Sequence, residues 1–339
     1  MDVRKMIRRT VGCAAGCLAL LCGTPGLGHH SRAGFDADSV TAIEGRVTSF
    51  NWSNPHVYIG LEGADESGVQ GEWVIETDAI PILLRSGWNP QSLSLGERVL
   101  VRANPGVRGN EHHGLLLSIA KEDGTTLLPR AHFERDLAPA RAAARSEKTL
   151  EGVWELPFGE TGDFGQRWSA VALTPAGQAG LDAFTPADRP SGQCIPNPTP
   201  QFMAMPFLNE IALQDDRVIM RSEFLDAERV IFMDGRGHPA DGPRTNQGHS
   251  IGHWEGEELV VDTTLFEDHR APIRGRREGV PSGAQRHVVE RLRLSEDGTR
   301  VHIEFVVEDP EFLAEPFAGT LEWQYLPDFE LSSFTCTPP

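Results

Sequence analysis

No stretch of this 339-residue chain is apolar for long enough to cross a bilayer. The best candidate, Val11–Cys22, covers about 12 residues where a spanning helix needs roughly 20. Missing too are a Gly-x-Ser-x-Gly elbow, a phosphate-binding P-loop, a dinucleotide fingerprint and an HExxH motif. Their absence sets aside covalent serine hydrolases and nucleotide cofactors. Basic residues are scarce: 31 Lys and Arg face 49 Asp and Glu, for a net charge of −18. A field of that sign repels nucleic acid and anionic lipid, so neither is an expected partner. No internal repeat of fixed period is visible.

The short apolar run has a different meaning at the N-terminus. Arg4, Lys5, Arg8 and Arg9 precede it, and a Pro-Gly break leads to Gly26-Leu27-Gly28, whose small residues suit signal peptidase. Residues 1–28 therefore read as a signal peptide cleaved after Gly28, and the remainder as a periplasmic or secreted protein. Cys22 follows Leu21 without the small residues of a lipidation motif, which leaves lipidation the lesser reading. Cys13, Cys17 and Cys22 would leave with the leader; Cys194 and Cys336 remain, an even count that predicts a disulfide in an oxidising compartment. Two separate buried thiols are the alternative.

The rest of the chain exceeds what one hydrophobic core usually serves. Residues 29–132 predict a small barrel like the oligonucleotide/oligosaccharide-binding (OB) fold. Strands are expected at 40–50, 57–61, 73–77, 98–103 and 115–120, with a helix at 79–86 between the third and fourth. Residues 133–149, rich in Ala and charge, read as a linker or exposed helix. Residues 150–339 predict a larger lipocalin-like antiparallel barrel or sandwich. It has a helix at 174–184 and strands at 150–156, 210–214, 218–224, 229–234, 249–254, 259–265, 287–294, 300–308, 320–325 and 330–335. The fold class is thus mostly β.

Two groups of motifs carry a resemblance. His29-His30-Ser31, the phrase Asn51–Ile59 (NWSNPHVYI), Gly87-Trp88 and the Leu93–Val101 segment resemble the N-terminal domain of an uncharacterised exported bacterial family. Its members typically begin His-His-Ser after cleavage. Asp234–Pro239 (DGRGHP), Gly248–Thr264 and Val288–Arg291 (VVER) are similar to a companion β-domain of the same proteins. The resemblance implies export and this pair of domains. It implies no chemistry, because that family is of unknown function.

Three constellations could carry chemistry. Cleavage after Gly28 would give His29 a free amine beside its imidazole, with His30 adjacent. Such nitrogen-rich donors favour copper, with a third ligand from His56 or His112-His113. The second set is Asp234, Arg236, His238, His249 and His253, dense for a β-meander. Strand alternation places Val230, Phe232 and Asp234 on one face and His249, Ile251 and His253 on one face. Turn chemistry with exposed histidines is the bland alternative. The third is Glu290, which falls in the apolar row of Val288, Leu292 and Leu294. An inward carboxylate is paired, with Arg236 a candidate partner, or has a raised pKa and serves as an acid or base.

The leading expectation is a cavity inside the second barrel that binds a small apolar molecule. Asp234, Arg236, His238, His249, His253 and Glu290 would orient it or perform isomerisation, hydration or elimination. Two other readings stand beside it: a copper-binding or copper-handling protein using His29, His30 and His56, and a non-catalytic module docking a partner through Trp52, Trp73 and Trp88.

Overall fold

A computed structural model describes residues 34–107, 110–131, 149–157, 164–185, 188–273 and 278–336. The expected leader with its cleavage site, His29, His30 and nearly all of the 133–149 segment lie outside the described residues.

The first barrel contains β1 (Thr41–Asn51), β2 (Tyr58–Asp65), β3 (Gln70–Glu76), β4 (Arg98–Pro105) and β5 (His113–Lys121). Helix α1 (Ile80–Arg85) connects β3 to β4, and a short β6 (Thr126–Leu127) adds to β5. The sheet runs β3-β2-β1-β4-β5 and closes through a parallel β3–β5 pairing from Val74↔His113 to Glu76↔Leu115. Strand alternation supplies the core: on β4, Val99, Val101 and Ala103 are buried while Arg98, Leu100 and Arg102 face out. Where β1 crosses β2, Gly45 pairs with Gly63; a Cβ on Gly63 would sit 2.2 Å from the Glu44 carbonyl oxygen, so only glycine fits. Trp73 and Trp88 lie inside this core, with Trp88 Nε1 donating to the Leu128 carbonyl at 2.9 Å, and Trp52 packs against it. Two of the three tryptophans expected to dock a partner are therefore structural.

The second barrel closes nine strands: β7 (Gly152–Glu155), β8 (Leu208–Leu213), β9 (Arg217–Ser222), β10 (Ala227–Phe232), β11 (His249–Glu255), β12 (Glu258–Thr264), β13 (His287–Leu294), β14 (Arg300–Glu308) and β15 (Phe317–Tyr325). An odd number of strands cannot alternate direction all the way round, so one neighbouring pair must be parallel. That pair is β10–β11, joined at Ile231↔Ser250 and Phe232↔Ile251. A parallel pair needs a crossover rather than a hairpin, and residues 233–248, which contain the DGRGHP segment, provide it. β15 pairs with β7, which closes the barrel.

The 330–335 segment is not a strand. With β15 already on β7, no edge is left for it, and the chain instead runs between the two barrels, where Phe334 is buried against Phe207 and Phe224. Cys336 forms a disulfide with Cys194. Glu223 ties the junction together. It accepts from Arg85 of α1 at 2.6 Å, from the Leu208 amide at 3.1 Å and from the Ser332 amide at 3.0 Å. The NPH motif acts at the same place: Asn54 Nδ2 donates to the Phe334 carbonyl, and Asn54 Oδ1 accepts from the Ile80 amide at 2.9 Å.

Two helices were differently legible. Helix α3 (Pro175–Asp182) starts where expected, with Thr174 Oγ1 accepting from the Gly177 amide at 3.1 Å as its N-cap. Helix α2 (Phe164–Ala170), not expected, lays Phe164 and Trp168 onto Phe305 and Phe317. With Trp154, Phe202, Met203 and Trp323 these side chains fill the barrel. Beside this packed core, a pocket of about 690 Å³ lies at the end of the barrel where Leu150, Leu213, Trp254 and Leu294 meet.

Candidate functional site

The sequence-predicted polar residues divide into three places. Glu290 is inside the second barrel and fully buried, in the same inward row as Val288 and Leu292. Its partner is Arg229, 3% exposed, rather than Arg236. Both guanidinium nitrogens Nη1 and Nη2 donate to the carboxylate, the first at 3.0 Å. Arg229 also donates to Ser250 Oγ at 2.9 Å and Thr263 Oγ1 at 2.7 Å, and these hydroxyls bond each other at 2.9 Å. On β10, Ala227, Arg229 and Ile231 point in, while Val230 and Phe232 share the outer face as expected, so the apolar row that leads to Asp234 is not the inward one. The inward row thus contains an arginine whose charge Glu290 satisfies.

Asp234 and Arg236 lie outside, in the crossover, as a two-pronged ion pair with Arg236 Nε donating to Asp234 at 2.8 and 3.0 Å. The guanidinium beside it holds the Asp234 carboxyl down at about 2, and Arg236 itself lies 4.0 Å over the Phe232 ring. His253, well exposed, pairs with Glu255 at 3.2 Å. Neither approaches Glu290 across the barrel wall.

His238 and His249 do come together, and they bring residues that sequence reasoning missed. His238 reaches back from the crossover to the outer barrel surface. Its Nδ1 lies 2.8 Å from His249 Nδ1, and its Nε2 lies 2.9 Å from Asp262 Oδ1. The other carboxylate oxygen of Asp262 accepts from His287 Nε2 at 3.0 Å, and His287 Nδ1 donates to Glu308 at 3.3 Å. The result is a chain from β11 through the crossover to β12, β13 and β14. Outward alternation brings the β11, β12 and β13 members to one surface: His249 pairs with Thr264, Asp262 with Val289, and His287 with Glu308. Asp262 and His287 could have been found by continuing the outward row of β11 across β12 and β13.

Proton counting limits what this chain can hold. A carboxylate only accepts, so His238 Nε2 carries a hydrogen. Exactly one hydrogen can then sit between the two Nδ1 atoms. With both rings neutral, it belongs to His249, which leaves His249 Nε2 with its lone pair. Partial burial, then the positive charge of His238 when protonated and of Arg236, lower the His249 pKa, favouring that neutral state. Burial alone would lower His287 as well, but the hydrogen bond and charge of Asp262, with Glu308, outweigh it and raise its pKa. Phe232 stacks on His249 with ring centres 5.3 Å apart and fixes its plane.

Of the expected copper ligands, His56 has Nδ1 2.7 Å from the Thr77 carbonyl and 3.2 Å from Glu76, while His112 packs against Trp73 and His113 lies on β5. Among the described residues no group of three or more His, Cys, Asp or Glu converges on a metal position. No helix there is long and apolar enough to cross a membrane.

No curated protein matches the chain. Residues 18–116, which reach through the first barrel into β5 and include none of the histidine chain, match DUF6152, a family of unknown function.

Proposed function

We propose that the second barrel performs proton transfer on a small, largely apolar molecule at its outer surface, with His249 Nε2 as the base. One observation carries this reading: the 2.8 Å contact between the two Nδ1 atoms, continued at 2.9 Å to Asp262. A base oriented by a second group, itself oriented by a carboxylate, follows the logic of catalytic triads. When His249 takes a proton at Nε2, the hydrogen on its Nδ1 is already directed at His238. Its transfer to His238 would place the positive charge beside Asp262. Asp262, also held by His287, is the positioning residue. Asp234 and Arg236 brace the crossover, and Glu290 with Arg229 sets the barrel frame behind it. The barrel belongs to an exported chain cleaved after Gly28, a reading compatible with the disulfide; N-terminal sequencing of the purified protein tests it.

Elimination of 5-nitrobenzisoxazole provides the test. The base removes the ring C–H proton as the N–O bond breaks, releasing a coloured phenolate. Turnover should rise with pH and level off once His249 is neutral, below the pH expected for an ordinary imidazole of pKa about 6.5. His249→Ala should remove it; Asp262→Asn should reduce it roughly 10- to 100-fold while retaining a folded barrel. Equal turnover in wild type and His249→Ala overturns the assignment.

A further inference from the structure

The junction between the barrels forms a partly open cavity of about 170 Å³ that shares no residue with the histidine chain. Both barrels and the C-terminal segment build its walls: Ile82 and Leu115 from the first, Met205, Phe207 and Phe224 from the second, and Phe334 from the tail. One corner is polar. There Thr77 is 1% exposed, and its hydroxyl has no hydrogen-bond partner among the described residues. A buried hydroxyl left unmatched is costly, by about 1–3 kcal/mol.

The neighbours of Thr77 determine what could satisfy it. Glu76 is engaged by His56 at 3.2 Å, and Asp78 is held by Arg130, whose Nε donates at 2.7 Å. Both carboxylates beside the cavity thus already have partners, whereas the Thr77 hydroxyl has none among the described residues. The walls are aromatic and aliphatic. An engineered apolar cavity of roughly 150 Å³ accommodates benzene, so this volume suits a single ring and little more.

We infer that the inter-barrel cavity binds a neutral, single-ring molecule carrying one hydroxyl group, with the ring against Phe207, Phe224 and Phe334 and the hydroxyl at Thr77. The C-terminal segment is one wall of this site, and the Cys194–Cys336 disulfide holds that segment in place.

Phenol and toluene are suitable probes, titrated calorimetrically into the full protein. Phenol should bind at millimolar or lower concentration. Thr77→Val keeps the shape and deletes the unmatched hydroxyl; it should weaken phenol about three- to tenfold and leave toluene unchanged. Leu115→Trp should fill the cavity and remove binding of both probes. Melting curves establish that each variant is folded, and Thr77→Val decides the matter should Leu115→Trp fail to fold. No phenol binding to wild type, or unaltered phenol affinity in Thr77→Val, overturns the inference. Because His249 is uninvolved, loss of elimination activity in His249→Ala with phenol binding intact separates the two sites.

Discussion

Glu290→Gln tests the barrel frame most severely. The substitution preserves shape and removes one charge from a pair in which Glu290 is fully buried and Arg229 is 3% exposed. Arg229 would keep its bonds to Ser250 and Thr263 but lose the carboxylate that offsets its charge. Removing one member of a buried pair costs about 3–5 kcal/mol, chiefly because the other charge remains buried. For a unit of this size each kcal/mol lowers the melting midpoint by about 2–4 °C, so a fall of roughly 6–20 °C is expected. The double replacement Arg229→Met with Glu290→Met behaves differently. Both charges go together, and Ser250 and Thr263 still satisfy each other at 2.9 Å. Its stability should lie near or above that of wild type, since buried pairs are often replaceable by apolar groups without loss. Urea denaturation measures both. A change below about 0.5 kcal/mol in Glu290→Gln, the range of ordinary surface substitutions, would refute the inward register of β13.

The disulfide closes a separation of 142 residues; Cys194→Ser should cost roughly 4–5 kcal/mol on the loop-entropy argument, seen as a lowered urea midpoint, and an unchanged midpoint would remove the tail from the stabilising framework. His269 gives a pH signature. Its burial, followed by the charge of Arg286, lowers its pKa from an ordinary 6.5 to about 3, so between those values the unfolded chain binds a proton that the folded chain does not. Stability should therefore fall as pH drops through this window, by about 1.4 kcal/mol per unit, and His269→Gln should flatten the slope in denaturation measured from pH 6.5 to pH 4.

Much of the fold was legible because apolar alternation reports which side of a strand is inside. Arg98–Ala103, His287–Leu294 and Arg300–Glu308 fall within the strands expected there, and the order of three strands, helix and two strands closes as an OB-like barrel. Even-count reasoning found the Cys194–Cys336 bridge. Legibility ended where polar residues point inward or chain segments meet from afar. The inward Arg229 was not legible on β10, because local alternation carries no trace of a partner 61 residues away. The short α2 offers Phe164 and Trp168, a pattern too brief to distinguish from a loop. The last segment looks like a strand in isolation; only the prior β15–β7 closure excludes it. His238 and His249 were picked out by local density, whereas Asp262 and His287 belong to the same chain only through register across neighbouring strands.

The closure of the second barrel by its first and last strands bears on the order in which the protein is made. The first barrel's circuit needs nothing beyond β5, so it can close once Lys121 has emerged from the ribosome. The second cannot complete its ring until Tyr325 is available to meet Trp154. Its early strands must remain unpaired at one edge until then, since loop closure over such distances is slow and late. The segment carrying Phe334 and Cys336 comes later still. A chain cut after Asp328 would keep both barrels' strands yet lose the wedge between them. Assembly of the junction thus comes after both rings: the two barrels are wedged together only once the segment beyond β15 has been made.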